Sequence, residues 1–441
     1  MNTINSIIFL SLELWNRLIH LDFFVGFMPL ILAYEAPLMI LVITGILSWY
    51  RQTFLLQQKE VLYEPDVSCI ITCYSEGDAV AITINSLIEQ TYKGNVEIIA
   101  VIDGAVDNIK TYQAALKAAK KCSRKDRNIV LLPKWQRGGR VSSLNAGLSI
   151  ATGEIVMNAD ADTSFDNTML AQIIPYFKDK NVPAVGGALR VRNTHDSILT
   201  VMQSIEYLLS MQGGKTGLSH WNLINNVSGA FGAFRREILV NIGGWNTHTA
   251  EDLDLTIRIK QYFKRHPNWK IPFATLAIGH TDAPADLTTL VKQRLRWDGD
   301  LFFLYLRKHW KAFTPKLMGT KSFVFTLLYG VVQNIALPFI IVIYLTTLSI
   351  TQPWQLVTAI AVVVYSIYLA FLVTFYLVVL LAISEKPKQD LRLMPWLLIY
   401  PVYALFMRLL AAFAVMNEML RRSHEESAMA PWWVLKRGRK F

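Results

Sequence analysis

The sequence predicts an α/β domain built on a Rossmann-like, mixed and mostly parallel sheet, inserted between membrane helices. Three observations predict it. The 441 residues are 53% hydrophobic and only 17% charged, yet the apolar residues gather at the two ends and leave the middle, about 60 to 315, with ordinary soluble composition. That middle alternates short β-branched runs with helical stretches, the pattern of βαβ units. Carboxylates and glycines follow the ends of the predicted strands, where open α/β sheets hold their ligands.

Composition excludes several classes. Gly and Pro are near average, which rules out collagen-like and disordered chains, and the three cysteines, Cys69, Cys73 and Cys122, are too few for a disulfide scaffold. An odd, sparse set reads as reduced and buried, on the cytosolic side of a membrane. The net charge of +11 asks for an anionic partner: nucleic acid, lipid headgroups or a phosphorylated substrate.

Along the chain, residues 1–52 form an N-terminal membrane region. The stretch from Pro29 to Tyr50 is long enough to span and ends in Trp49-Tyr50-Arg51, aromatics and a cation suited to an interface. Residues 5–24 are apolar but carry Glu13, Arg17 and His20, which fits either an interfacial helix or a poorer span. The extreme N-terminus lacks the basic region of a cleavable signal peptide, so none is expected. The soluble domain covers 60–282, with strands at 67–73, 96–102, 128–132 and 154–158 and helices at about 77–91, 107–122 and 141–151.

Amphipathic interface helices follow at 283–318, then membrane helices over 319–420 and a basic tail at 421–441. Candidate spans are predicted at 322–349, 354–383 and 394–417, the last containing Pro401 and Arg408, so that it either lines a polar passage or lies partly in the interface. The uncharged loop at 350–353 belongs outside and the basic segments 385–392 and 421–441 inside. Three full spans would put the tail outside, so the third span and the tail pull in opposite directions.

Four groups of residues carry chemistry. Asn158-Ala-Asp-Ala-Asp162 places two carboxylates, Asp160 and Asp162, at a strand end, where both can turn toward one hard cation that neutralises a diphosphate; the bland alternative is a solvated turn. Asp103 adds a carboxylate after the second strand, and Gly138-Gly-Arg140 opens a helix in a way suited to phosphate. Glu251-Asp252 precedes a helix, either as first-turn carboxylates or as a general base acting on a hydroxyl. Gln293-Arg-Leu-Arg-Trp297 lies in an amphipathic stretch at 285–309, either an interface anchor or a clamp of guanidinium groups with an indole to stack on a sugar. The basic run at 117–140 holds nine Lys/Arg and one Asp. It reads as a solvated face near anionic lipid, since no nucleic-acid recognition module accompanies it.

Together, an aspartate after the second strand, the D-x-D, the E-D pair and the Q-x-x-R-W arrangement resemble the membrane-embedded processive family 2 glycosyltransferases. That group holds the cellulose, chitin, hyaluronan and poly-N-acetylglucosamine synthases, and the length and short C-terminal half are most similar to the poly-N-acetylglucosamine type. The resemblance implies a GT-A nucleotide-diphosphosugar transferase domain on the cytosolic face of the plasma (inner) membrane. It assigns Thr72, Tyr74, Glu76, Asp103, Arg140, Asp160, Gln293, Arg294 and Arg296 to the donor and Asp160 with Asp162 to Mg2+ or Mn2+. It makes Asp252 the base with Glu251 beside it, and gives Trp297, Phe231 and Gly232 to the acceptor. The partners it implies are a UDP-sugar, the growing polysaccharide and the lipid bilayer, with room for a small accessory membrane subunit and no nucleic acid. Asp103-Gly-Ala, Arg140 and Thr72 depart from the usual D-G-S, lysine and proline. Physically, one carboxylate base and a metal–arginine cluster suffice for inversion, and no independent nucleophile is visible. Glu35 and Arg408 are candidates for a polar passage through the membrane, or for a snorkel and helix packing. Transfer of one sugar to a lipid, or an export or receptor protein with a retired catalytic domain, are the rival expectations.

Overall fold

The computed structural model describes residues 3–17, 34–55, 63–246, 249–426, 430–431 and 434. His20, the start of the first predicted span and most of the basic tail lie outside them.

The core is an eight-stranded mixed sheet in the order β3-β2-β1-β4-β7-β6-β8-β5. β1 (Val67–Cys73), β2 (Val96–Ile102), β3 (Arg127–Pro133) and β4 (Ile155–Asp160) are the four predicted strands, and they pair in parallel. β7 (Phe231–Arg235) joins β4 antiparallel, and β6 (Ala184–Val191), β8 (Phe273–Thr281) and the short β5 (Ser164–Phe165) complete the sheet. The expected mixed, mostly parallel sheet is present, since β6 also pairs with β8 in parallel.

Both faces of β1, β2 and β4 are covered, so these strands are mostly apolar, whereas the edge strand β3 is only partly buried. Residues still alternate. Cys69, Ile71, Ile98 and Ala100 face one core, whereas Ile70, Ile99, Val101 and Val156 face the other. Two further helices, Ala79–Ile88 and Ile109–Lys120, contribute Val80, Ile84 and Ala115 to the first core. The second core takes Val141 and Leu144 from the helix Arg140–Ile150, and also Val42, Ile46, Tyr376 and Val379 from apolar helices at the chain ends. The sheet domain and the apolar helices therefore share one hydrophobic core. Cys69 and Cys73 are buried free thiols as expected, while Cys122 is partly exposed.

Among the described residues, four helices are long and apolar enough to cross a membrane: Ala36–Leu55, Thr320–Thr351, Trp354–Ala382 and Tyr400–Arg421. We label α1 as Thr3–Arg17, α2 as Ala36–Tyr50, α3 as Arg140–Ile150, α4 as Glu251–Lys260, α5 as Leu287–Phe302, α6 as Thr320–Thr351, α7 as Trp354–Ala382 and α8 as Tyr400–Arg421. Gly45 of α2 rests on the backbone of Gly217, where any Cβ would collide, and Trp221 Nε1 donates to Leu41 O at 2.9 Å. α1 packs against α7 through Leu10 and Leu14, with Trp15 and Phe9 exposed.

The loop between α7 and α8 is tied to the sheet. Arg190 of β6 pairs with Asp390 and, at 3.2 Å, with Glu385, so this loop lies on the catalytic-domain side. α8 then runs beside α5 in the same direction. Tyr403 and Arg294 meet on Glu206 at one end, Gly299 lies against Glu418, and Arg307 Nη1 donates to Glu418 at 2.8 Å at the other. α5 carries Lys292, Arg294, Arg296, Asp298 and Asp300, a charge density that no lipid-spanning helix tolerates. α8 is thus held beside this charged helix at both ends, while its length and composition fit a span.

This arrangement predicts the sidedness of the C-terminal half. In vesicles, with Cys122 replaced by Ser, single cysteines at Gln389 and Ser423 are expected to react with a membrane-impermeant maleimide from the side bearing the catalytic domain. One at Gln352 is expected to react from the other side.

Candidate active site

The site is assembled at the carboxyl ends of β1, β2 and β4, where the sheet switches from parallel to antiparallel. β4 ends on Asp160, and β7 returns beside it because Gly232 lets its backbone lie against Asn158 and Ser228. The turn before β7 makes Gly229 a junction. Its carbonyl accepts from Arg140 Nη2 and Asn158 Nδ2, and its N–H donates to Asp252 Oδ2 at 2.9 Å.

Arg140, at the start of α3, is the centre of the site. Its guanidinium pairs with Asp160 and Glu251 and donates to Thr72 Oγ1 at 3.0 Å. Burial alone would lower its pKa, but the carboxylates of Asp160 and Glu251 outweigh burial and raise it. Glu251, also buried, is pushed up by desolvation and by Asp252 while Arg140 pulls it down. Asp252 accepts from Asn226 Nδ2 at 3.0 Å as well as from Gly229. The pair stands in the first turn of α4, which Ala250 sets up in the left-handed region with φ of 41°.

On the donor side Asp103 is buried and fully engaged. It accepts from the N–H groups of Gly138 and Gly139 at 2.8 and 2.7 Å and from Lys134 Nζ at 2.7 Å. The carboxylate therefore shapes the glycine turn that opens α3. Glu76 folds back so that Oε2 accepts from the N–H of Tyr74 at 2.6 Å. Burial pushes Glu76 up to about 7, with Asp162 and Asp160 adding to the rise; Asp162 is raised by burial and by Asp160. Arg137, which the sequence reading passed over, stacks on Tyr74 with 3.9 Å from Cζ to the ring centre.

Two expectations need correction. Phe231 does not line an acceptor surface: it is fully buried in the core, edge-on to Phe165 and packed over Gly187. Arg294 does not face the site. It makes a bidentate pair with Glu206 at 2.8 and 2.7 Å, beside Trp297, because its direction on α5 points toward the helix Ile198–Glu206. Arg296, Gln293 and Trp297 remain partly buried, and the amide oxygen of Gln293 has no hydrogen-bond partner among the described residues.

The residues after the motif were also missed. Asp300 is buried and pushed up to about 7 by desolvation, against the pull of Arg296, with Glu418 and Glu251 raising it further. Asp254 anchors α4 from below through Arg258, Lys308 and His309 at 2.7–2.8 Å. Among the described residues no three His, Cys, Asp or Glu converge as a metal cage. The D-x-D fits a divalent cation in another way, since such ions take one or two carboxylates and complete their shell with substrate phosphates and water. The crowding that raises Asp162 and Glu76 is what a cation would relieve.

Comparison with known proteins agrees with this geometry. Residues 68–243 match the glycosyl transferase family 2 description. The chain is 28% identical over 299 residues to a poly-beta-1,6-N-acetyl-D-glucosamine synthase of Staphylococcus epidermidis, covering 67% of this chain and 68% of that one. It is 27% identical to the Staphylococcus aureus protein of the same name, over 63% of this chain and 64% of that one. The fold is similar to a mannosyltransferase from Pyrobaculum calidifontis solved with GDP-Man and Mn2+, with a TM-score of 0.51 and 19% identity over 87% of this chain and 99% of that one.

Two outcomes test the site. Arg294→Lys keeps the charge but loses the fork to Glu206, and is expected to cost about 1.5–3 kcal/mol of stability in a denaturation measurement while leaving donor KM unchanged. Glu76, raised in the folded state, contributes stability below its unfolded pKa that is lost as pH rises through about 7. The melting temperature without metal should fall across that window relative to Glu76→Gln, and Mn2+ should restore more of it at pH 8 than at pH 6.

Proposed function

We propose that this chain, whose residues 68–243 match the glycosyl transferase family 2 description, polymerises a UDP-activated sugar, N-acetylglucosamine first, into a β-linked polysaccharide passed through the membrane. The observation that carries this reading is the convergence of Asp160, Arg140, Glu251 and Asp252 around Gly229, which brings a diphosphate-binding edge and a candidate base into one cleft. The names of the staphylococcal relatives support the choice of sugar.

Asp252 takes the proton from the acceptor hydroxyl as its oxygen bonds to the anomeric carbon and the bond to the nucleotide diphosphate breaks. Bound through Asp160 and Asp162, Mg2+ or Mn2+ would supply positive charge to the departing diphosphate. Arg296 and Gln293 add donors from α5, and the open amide oxygen of Gln293 is free for a substrate hydroxyl. Tyr74 and Glu76, with Asp103 shaping the glycine turn, form the nucleoside end, and Trp297 offers a sugar-stacking face. Glu251 is held by Arg140 and so is not a free nucleophile, which favours inversion to a β linkage.

Export is supported by a cavity of about 320 Å3 among the membrane helices, lined by Glu35, Gln333 and the aromatic rings of Tyr329, Tyr368 and Tyr400. Arg408 Nη1 donates to the carbonyl of Gln333 beside it, at 3.0 Å. Aromatic faces with a few polar groups suit a polysaccharide sliding past. The catalytic domain then belongs on the cytosolic side of the plasma membrane, where nucleotide sugars are made.

The test is incubation of the protein in nanodiscs with Mg2+ or Mn2+ and a panel of radiolabelled UDP-sugars, beside Asp252→Asn. Polymer from one donor is expected, with the variant reduced by about 10²–10⁴-fold and its donor affinity retained. One sugar per acceptor would refute processivity, and full activity in Asp252→Asn would remove the base assignment.

A further inference from the structure

Arg294 stands inside the motif Gln293–Trp297 and yet points away from the cleft, so its place there asks for a reason. α5 is regular α-helix, in which residues three and four apart are neighbours on one face. Trp297 therefore has two near neighbours one turn back, Gln293 four residues before it and Arg294 three before it. Gln293 offers an amide oxygen with no hydrogen-bond partner among the described residues. On the other side the Arg294 guanidinium lies over the indole, with Cζ 5.1 Å from the ring centre.

The guanidinium is itself held in place. Its Nη1 and Nη2 donate in parallel to Glu206 Oε1 and Oε2 at 2.8 and 2.7 Å, and its buried Nε–H has no acceptor among the described residues. The fork to Glu206 is thus the bond that sets the plane of the side chain. Glu206 ends the helix Ile198–Glu206, which a capping box of Ser197 and Thr200 begins and which buries Val201, Met202 and Ile205. Its carboxylate also accepts from the hydroxyl of Tyr403 at 2.8 Å. Tyr403 lies in the first turn of α8, its ring centre 5.7 Å from that of Tyr400, and Tyr400, Pro401 and Ala404 line the cavity among the membrane helices.

We propose that Glu206 is a positioning residue of the acceptor site. Through Arg294 it fixes the orientation of Trp297, so that one face of the indole is backed by the guanidinium and the other is presented to the terminal sugar. Through Tyr403 it keys that platform to the wall of the membrane cavity. The inference rests on the reading of Trp297 as the residue that stacks on the acceptor. A ring set in advance spares the acceptor the cost of ordering it. A carboxylate and a guanidinium in series set it more strictly than apolar packing does, since turning either away strands a charge out of water.

Glu206→Gln, Tyr403→Phe, Trp297→Ala and the double variant Glu206→Gln with Trp297→Ala are compared with the unmodified chain in nanodiscs. The probes are Mn2+, UDP-N-acetylglucosamine and a short β-linked N-acetylglucosamine oligosaccharide as acceptor. Glu206→Gln sets an NH2 group against one arm of the guanidinium and breaks the fork. It should raise the acceptor KM about threefold to tenfold and leave the donor KM unchanged. Trp297→Ala should raise the acceptor KM at least as far, and Glu206→Gln should add nothing in that background, because it acts through the ring. A merely structural role would add its effect in both backgrounds. An unchanged acceptor KM in Glu206→Gln, a donor KM that rises in step with it, or additivity in the double variant overturns the inference. Should Glu206→Gln not fold, Tyr403→Phe, which removes only a hydroxyl, decides by the same comparison with and without Trp297→Ala. An unchanged acceptor KM in Trp297→Ala, or no transfer to the oligosaccharide at all, refutes the stacking reading and this inference with it. A raised one beside an unaffected Glu206→Gln refutes the role of Glu206 alone.

Discussion

A single buried guanidinium holds the catalytic cleft together. Arg140 reaches from the start of α3 to the D-x-D on β4, to Glu251 at the start of α4, to Thr72 on β1 and to the carbonyl of Gly229. Removing this charge would leave Asp160 and Glu251 facing each other in a region of low dielectric, where unpaired carboxylates are strongly disfavoured. A planar fork can serve four acceptors from one position; an ammonium cannot match that geometry. The arginine, at a place where the family commonly has lysine, is therefore a structural choice as well as a charge.

Around this centre, the catalytic and membrane parts are coupled through charged groups taken out of water in pairs. Glu206 receives Arg294 and the hydroxyl of Tyr403, which joins the helix before the cleft to α5 and α8. Arg190 with Asp390 does the same between the sheet and the loop after α7. Asp254 gathers Arg258, Lys308 and His309 beneath the Glu251–Asp252 turn, and these neighbours hold its carboxyl well below the usual carboxylate range in spite of burial. Such pairs contribute little net stability but strongly oppose alternative arrangements, since separating either partner strands a buried charge. The Glu251–Asp252 turn is thereby held at a defined place in the fold.

Much of the site was legible in the sequence. Strands β1 to β4 are short runs of six or seven residues rich in Ile and Val, so their ends, and with them Asp103 and Asp160, could be located directly. β6, β7 and β8 were not foreseen. They contain Gly186, Gly187, Gly232 and Gly279, positions where small residues admit Phe231, Phe273, Leu189 or a neighbouring backbone, and such residues weaken the strand signal. Phe231 was misjudged for the same reason: it sits in a motif but alternates inward, and strand parity could not be read before the strand was known. Lys134 and Arg137 were counted only as members of a basic run, although one holds Asp103 and the other covers Tyr74.

Local periodicity and hydropathy determined the division into membrane and soluble parts, the parallel half of the sheet and the identity of the acidic motifs, because each of those signals is complete within about twenty residues. The partner of each long cation was decided only by the tertiary structure. Arg140 and Arg294 have the same chemistry in similar basic surroundings, yet one meets Glu251, 111 residues away, and the other Glu206, 88 residues away. The packing of α8 is a second case, since its composition permits a span and only the fold shows it held beside α5. A charged side chain acts through the few groups within hydrogen-bond or Coulomb reach, and chain folding alone brings those groups together.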